Sequence, residues 1–175
     1  ILNSDFLILP GVGAFKYAMD LLKKNNLIET LNEYVIHKKK RILGICLGMQ
    51  VFLSKSYEMG QHDGLNFIQG KVINIKDLSK QHDLKVPHIS WNEIALNEET
   101  NEKTKFNNEI LNKDYYFVHS YLAITSKPQN TFAYCKYFDV KVPAILTQEN
   151  IIGCQFHPEK SGKTGLVFLK NALTY

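Results

Sequence analysis

The sequence has no apolar run near the ~20 residues that a membrane-spanning helix needs, and no segment with the charged, apolar and cleavage regions of a signal peptide. Cysteine is sparse: three residues, an odd number without framework spacing. A disulfide scaffold is thereby excluded, and free thiols in a reducing cytoplasm are expected. Charge of one sign is scarce too. Twenty-one basic and 17 acidic residues are scattered along the chain for a net +4, without the concentrated basic face that nucleic acid would require. Internal repeats and low-complexity linkers are absent.

What remains is 175 residues, 45% of them hydrophobic, enough for the core of one domain spanning residues 1–175. Ile1 is not a methionine, and Asp5 to Leu9 already reads as a buried strand, so the sequence is expected to start inside a domain. Pro10-Gly11-Val12-Gly13 closes that strand as a turn. Phe15, Ala18, Met19 and Leu22 then recur at helical spacing, followed by Leu27, Leu31, Tyr34 and Val35. The basic run His37 to Arg41 suits a solvated helix end, where cations complement the helix dipole. Residues 41–45 form a strand, and 47 to about 54 a helix.

Beyond this point the pattern turns to β. Residues 67–75, 86–96, 115–124, 132–138, 142–148 and 151–156 are rich in Val, Ile, Tyr and Phe. The stretch 97–113 reads as an exposed loop or weak helix. Residues 165–173 close the chain as a helix with Leu166, Leu169 and Leu173 on one face. Strand–helix alternation followed by a β-rich half predicts an α/β domain with a mixed sheet, its chemistry at the carboxyl ends of strands.

The strongest chemical signal is Gly44-Ile45-Cys46-Leu47-Gly48. It follows a strand, opens a helix and has the form of a nucleophile elbow. A cysteine there lies at a helix N-terminus, whose field favours thiolate. A thiolate needs a base, and the base an orienting group. Gln155-Phe156-His157-Pro158-Glu159 offers both, because residues two apart in an extended segment share a side. Glu159 can then fix the His157 tautomer. An oxyanion needs donors, each worth ~3–4 kcal/mol. The elbow places the Leu47 N–H for this, and Gly11-Val12-Gly13 is a second source, or else a plain turn. Cys135 and Cys154 read as small buried hydrophobes, and His37, His62 and His82 as solvent-facing. The cysteines and histidines show no zinc spacing, and thiol, imidazole and carboxylate call for no cofactor.

Taken in order, Leu9-Pro10-Gly11-Val12-Gly13-Ala14-Phe15, Gly44 to Gln50, Pro87-His88-Ile89-Ser90-Trp91-Asn92, Tyr116-Phe117-Val118-His119-Ser120-Tyr121 and Gln155 to Gly162 resemble the class I, triad-type glutamine amidotransferases over nearly the whole chain. Most closely they resemble the glutaminase subunits of imidazole glycerol phosphate synthases of histidine biosynthesis. The resemblance implies a three-layer α/β/α domain with a mixed, mostly parallel sheet. It makes Cys46 the nucleophile, His157 the acid–base and Glu159 its orienter. Gly13 and Leu47 match oxyanion donors, with Val12 at the peptide that flips to complete the hole. Gln50 and Glu58 match residues that hold glutamine, and His119-Ser120-Tyr121 a strand facing its α-amino and α-carboxylate ends. Trp91, Asn92 and Lys160 match a surface facing a (β/α)₈-barrel synthase that receives the ammonia.

The chain departs from the family in two places. The family's first strand and helix region, with an Asp-Tyr-Gly-Met-Gly-Asn-like segment, has no counterpart before Ile1, so an N-terminally incomplete domain is expected. Ser90 stands where the family usually has Gly, which keeps open a paralogous subunit that supplies ammonia to a synthase of surface-sugar biosynthesis. A non-enzymatic scaffold conflicts with an intact triad. A cysteine peptidase or esterase leaves Gln50 and His119-Ser120-Tyr121 unexplained.

Overall fold

A computed structural model describes residues 1–81, 83–100, 106 and 108–174. Eleven strands and four α-helices are described among them: β1 Phe6–Gly11, α1 Phe15–Lys24, α2 Leu27–Asn32, β2 Arg41–Cys46, α3 Leu47–Gln50, β3 Leu53–Ser56, β4 His62–Asp63, β5 Ile68–Asn74, β6 His88–Leu96, β7 Asp114–His119, β8 Tyr121–Thr125, β9 Thr131–Tyr137, β10 Val140–Gln148, β11 Ile151–Cys154 and α4 Gly162–Thr174. A π turn, Glu33–His37, prolongs α2.

Seven strands form one sheet in the order β1-β2-β11-β10-β9-β6-β7, and four form a second, β4-β3-β5-β8. The α/β class and the mixed sheet are as expected. The proportion is different: in the larger sheet only β1–β2 and β2–β11 pair in parallel, and the other four pairings are antiparallel. Tight hairpins and meanders in the second half of the chain account for this, since antiparallel neighbours need no crossover helix. The parallel minority matters most here. β1, β2 and β11 end side by side, with Gly11 opposite Cys46 and Cys154 opposite Ile45.

Two apolar cores lie on opposite faces of the large sheet, and consecutive residues alternate between them as a strand requires. Leu43, Ile145 and Ile152 join the core that includes Phe168 and Ala172 of α4. Ile42, Leu146 and Ile151 join the one that holds Phe15 and Leu22 of α1, Leu31 of α2, and Leu53, Ile68 and Val72 of the small sheet.

Several local expectations change in the structure. The helix after Cys46 stops at Gln50 rather than near 54, because Val51 and Leu53 carbonyls accept the Leu65 and Asn66 N–H groups and carry the chain into the small sheet. Residues 115–124 are two strands in different sheets, parting at Ser120. In α4 the buried face is Gly165, Phe168 and Ala172, while Leu166 is 66% exposed. Gly165 is needed there: a Cβ would lie 1.9 Å from the Pro158 carbonyl oxygen, so the helix turns its glycine inward and Leu166 with Leu173 outward. Within 97–113, residues 101–105 and 107 lie outside the described ones. Of the rest, Asn97, Thr100, Phe106, Ile110 and Leu111 are buried, so apolar anchors rather than exposure hold that stretch. The basic run is indeed a helix end, tied down by Lys39 to Glu149 at 2.7 Å and by Lys40 to the Ser4 carbonyl.

This orientation of α4 has a direct test. Phe168→Ala should cost about 3–5 kcal/mol in urea unfolding, whereas Leu166→Ala should stay within about 0.5 kcal/mol.

Candidate active site

Cys46 occupies the corner between β2 and α3 with φ 53° and ψ −108°, a conformation that costs a non-glycine residue about 1–3 kcal/mol. The corner is held by close packing. A Cβ on Gly48 would lie 1.8 Å from the Leu9 carbonyl oxygen, and one on Gly44 would lie 2.5 Å from the Phe52 ring. The elbow glycines therefore serve close approach, β1 pressing against the turn from one side and Phe52 from the other.

Around this corner lies a cleft of about 290 Å³ lined by residues from five segments, among them Gly13, Cys46, Gln50, Glu58, His119 and His157. Val12, Leu47, Ser120, Tyr121 and Lys160 complete the set of expected residues on its wall. A larger groove of about 680 Å³ beside α1 and α2 holds none of them.

His157 is buried, and its Nδ1 lies 2.7 Å from Glu159 Oε1. A carboxylate only accepts, so Nδ1 donates to it, and in the neutral ring Nε2 is then the nitrogen with the lone pair. That Nε2 is buried without a hydrogen-bond partner. The alternation expected for residues 157 and 159 is replaced by a turn: His157 is extended, and Pro158–Lys160 is a single 3₁₀ turn that brings Glu159 back under the imidazole. Glu159 itself is 52% exposed at the side chain, so water screens the pair. Ser161 clamps the segment, its Oγ donating to the His157 carbonyl at 2.7 Å and accepting the Tyr116 N–H at 3.0 Å.

The sulfur contradicts one expectation. Burial pushes the Cys46 thiol up to about 11, and N–H donation from Leu47 and from the Gln155 side chain offsets only part of that, while the charge on Glu159 adds to the rise. α3 spans only four residues, and so short a helix supplies little field against desolvation. At rest Cys46 is a thiol, not the thiolate expected from its place at a helix start.

The turn matched to the oxyanion loop is open to solvent. Val12 is 79% exposed, and Gly13, at φ 98°, has nothing within 4 Å of where a Cβ would stand. Glu58 Oε2 accepts the Phe15 N–H at 2.6 Å, so the carboxylate matched to glutamine binding here caps the start of α1. Both described hydrogen bonds of Gln50 use its nitrogen, to the Tyr121 carbonyl at 2.9 Å and Gln155 Oε1 at 3.0 Å. Of the 119–121 strand, the Ser120 and Tyr121 carbonyls are engaged internally by Ile75, Gln50 and His119. His119 is driven down to about 3 by burial, with nearby His88 adding to the effect; it is neutral and donates from Nδ1 to Tyr121.

Glu159 stands behind His157 off the cleft wall, and Trp91 and Asn92 are outside it as well. Trp91 is exposed and packs 5.8 Å from the Tyr116 ring, over which Lys160 Nζ lies at 6.0 Å. Those two share a surface at the rim. Asn92 instead turns inward, its Oδ1 2.8 Å from His88 Nε2 and within reach of Ser90 Oγ. Cys135 and Cys154 are buried, His37 is exposed and His62 half-buried; His82 lies outside the described residues. Sequence reasoning passed over Gln155 and Ser161 as partners of the triad. The place of Gln155 just beyond β11, which lies beside β2 and its Cys46, is the signal that could have found it.

A parallel trio of strands that ends at a strained cysteine, with a histidine backed by a carboxylate on the same cleft, is the arrangement a thiol hydrolase on an α/β scaffold requires. The chain belongs to the glutamine amidotransferase class-I family, whose profile matches residues 3–174. It is similar to imidazole glycerol phosphate synthase subunit HisH 1 of Legionella pneumophila strain Lens, at 43% identity over 99% of this chain and 82% of the relative. It is also similar to subunit HisH of Lactococcus lactis, at 47% over 97% and 79%. Among solved structures, PurLQS from Thermotoga maritima shares the fold with a TM-score of 0.64 at 18% identity, covering 100% of this chain and 81% of that one. A glutamine amidotransferase from the same organism does so at 0.56 and 16%, covering 97% and 63%. Among the described residues no helix is long and apolar enough to cross a membrane, and no group of three His, Cys, Asp or Glu is placed to hold a metal.

The buried thiol predicts the pH dependence of Cys46 alkylation by iodoacetamide. A group raised to about 11 is protonated at neutrality, so the rate should climb about tenfold per pH unit from about pH 7 to 10. A plateau already reached near neutrality would show a preformed thiolate instead.

Proposed function

We propose that this chain is the glutaminase subunit of an imidazole glycerol phosphate synthase. It hydrolyses L-glutamine to glutamate and ammonia and passes the ammonia to a cyclase partner. The observation that carries the chemistry is the free, buried Nε2 of His157 in the same cleft as the Cys46 thiol. The relatives at 43–47% identity are all subunits of that synthase by name, and this similarity carries the pathway.

The steps follow from the groups present. Cys46 Sγ gives its proton to His157 Nε2 and attacks the side-chain carbonyl carbon of glutamine, forming a C–S bond. The resulting oxyanion takes the Leu47 N–H, and a second donor from the Val12–Gly13 peptide once that plane turns, for which its exposure leaves room. His157 returns the proton to the nitrogen as the C–N bond breaks, and ammonia leaves. Water then adds to the thioester, with His157 again taking the proton; the C–S bond breaks, glutamate is released, and His157 returns the proton to the sulfur. Glu159 holds the imidazole in the tautomer that all four transfers need. Gln50, Glu58 and the 119–121 segment line the cleft where the amino-acid end of glutamine would lie, Glu58 supplying a carboxylate for its ammonium.

The partner expected is a (β/α)₈-barrel cyclase docked on the Trp91–Lys160 rim, with Asn92 behind it. Neutral ammonia is the useful form, so the route between the two sites must keep water out. A thiol held protonated and an unfinished oxyanion hole keep the glutaminase quiet until its partner is engaged.

The test is co-expression with the cyclase. Cys46→Ala should abolish glutamine-driven synthesis by at least about 10³-fold while ammonia-driven synthesis continues. Equal loss of both would reduce the chain to a scaffold. Fast glutamine hydrolysis by the chain without its partner would remove the gating.

A further inference from the structure

Gln155 is the residue immediately beyond β11, and the register that sets Cys154 opposite Ile45 places it next to Cys46. Its side chain is fully buried. Neighbouring groups dictate which way its amide faces. The Tyr121 carbonyl only accepts, so the Gln50 atom 2.9 Å from it is the nitrogen. That nitrogen also donates at 3.0 Å to Gln155, whose near atom must therefore be Oε1. The Gln155 nitrogen is left aimed at Cys46 Sγ, 3.5 Å away. Nothing else in this chain of contacts can turn round without setting like groups against each other.

From this we infer that Gln155 is a positioning residue for the nucleophile: its amide, locked through Gln50 to the Tyr121 carbonyl, holds a donor against the sulfur and favours the ionised form. A hydrogen bond to an anion in a buried site is far stronger than one to a thiol, so the donor opposes the burial that keeps Cys46 protonated. The device also ties the sulfur to two cleft residues. Gln50 lines the cleft and the Tyr121 carbonyl lies at its wall, so any ligand that moves Gln50 changes what the sulfur feels.

The inference rests on Cys46 being the nucleophile, and its test separates the two claims. Gln155→Glu keeps the shape but sets a carboxylate against the sulfur, and Gln155→Leu removes the donor. Two signals are followed on the whole chain, each with Cys46→Ala as blank: iodoacetamide alkylation, and ultraviolet thiolate absorbance against pH. Thermal unfolding selects the variants that fold, and Gln155→Leu decides if the buried glutamate does not. The expected result is an absorbance midpoint raised by about one pH unit and alkylation at about pH 8 slowed about tenfold. A folded variant with an unmoved absorbance midpoint overturns the role of Gln155, whatever its alkylation rate, because crowding alone slows the reagent without shifting ionisation. A wild type lacking any Cys46-dependent signal overturns the nucleophile assignment and this inference with it.

Discussion

The architecture turns on one close approach, the Gly48 backbone against the Leu9 carbonyl of the neighbouring strand. Only a residue without a side chain lets β1 and the start of α3 come this near. Because they do, the chain reverses within one residue at Cys46 and forces it to positive φ. The reversal lifts the sulfur above the carboxyl ends of three strands at once. Gly11 pairs with Cys46 and Cys154 with the adjacent Ile45, so the 11–13 turn, Cys46 and the His157 segment converge without any long loop having to find its place.

Convergence has an electrostatic consequence. The packing that presents the thiol also removes it from water, and desolvation outweighs the donors provided by Leu47 and Gln155. His157, by contrast, is fixed in orientation: Nδ1 against Glu159 Oε1, Nε2 without a hydrogen-bond partner, backbone clamped by Ser161. The Cys46 thiol thus rests in its neutral form. Ionising the thiol waits on whatever supplies the missing stabilisation, which in acyl transfer is the donor set around the developing oxyanion. In the proposed reading that set is completed from the Val12–Gly13 turn, which is open to solvent.

Much of this is legible in the residues alone. The elbow, the His-Pro-Glu segment and the two amphipathic helices announce themselves through local chemistry: glycines flanking a nucleophile, a base two residues from a carboxylate, apolar residues at helical spacing. Where local pattern misleads, a distant partner makes the decision. Leu166 and Leu173 have the spacing of an inner face for α4, but Pro158, held by the site itself, demands a glycine against it. Residues 115–124 read as continuous because nearly all of them are strand formers, yet the chain leaves one sheet for another at Ser120. Burial of Cys46 cannot be weighed against a helix field without knowing how short α3 is.

The sequence by itself determined the family, the candidate reacting groups and the order in which they occur along the chain, because these depend on residue type and spacing. Tertiary structure alone decided the charge state of the sulfur, the direction in which Gln155 points its amide, and which strands run parallel. Those properties depend on solvent exclusion and on partners more than 70 residues away, such as Tyr121 against Gln50 and Gln155 against Cys46, and a linear pattern carries no measure of either.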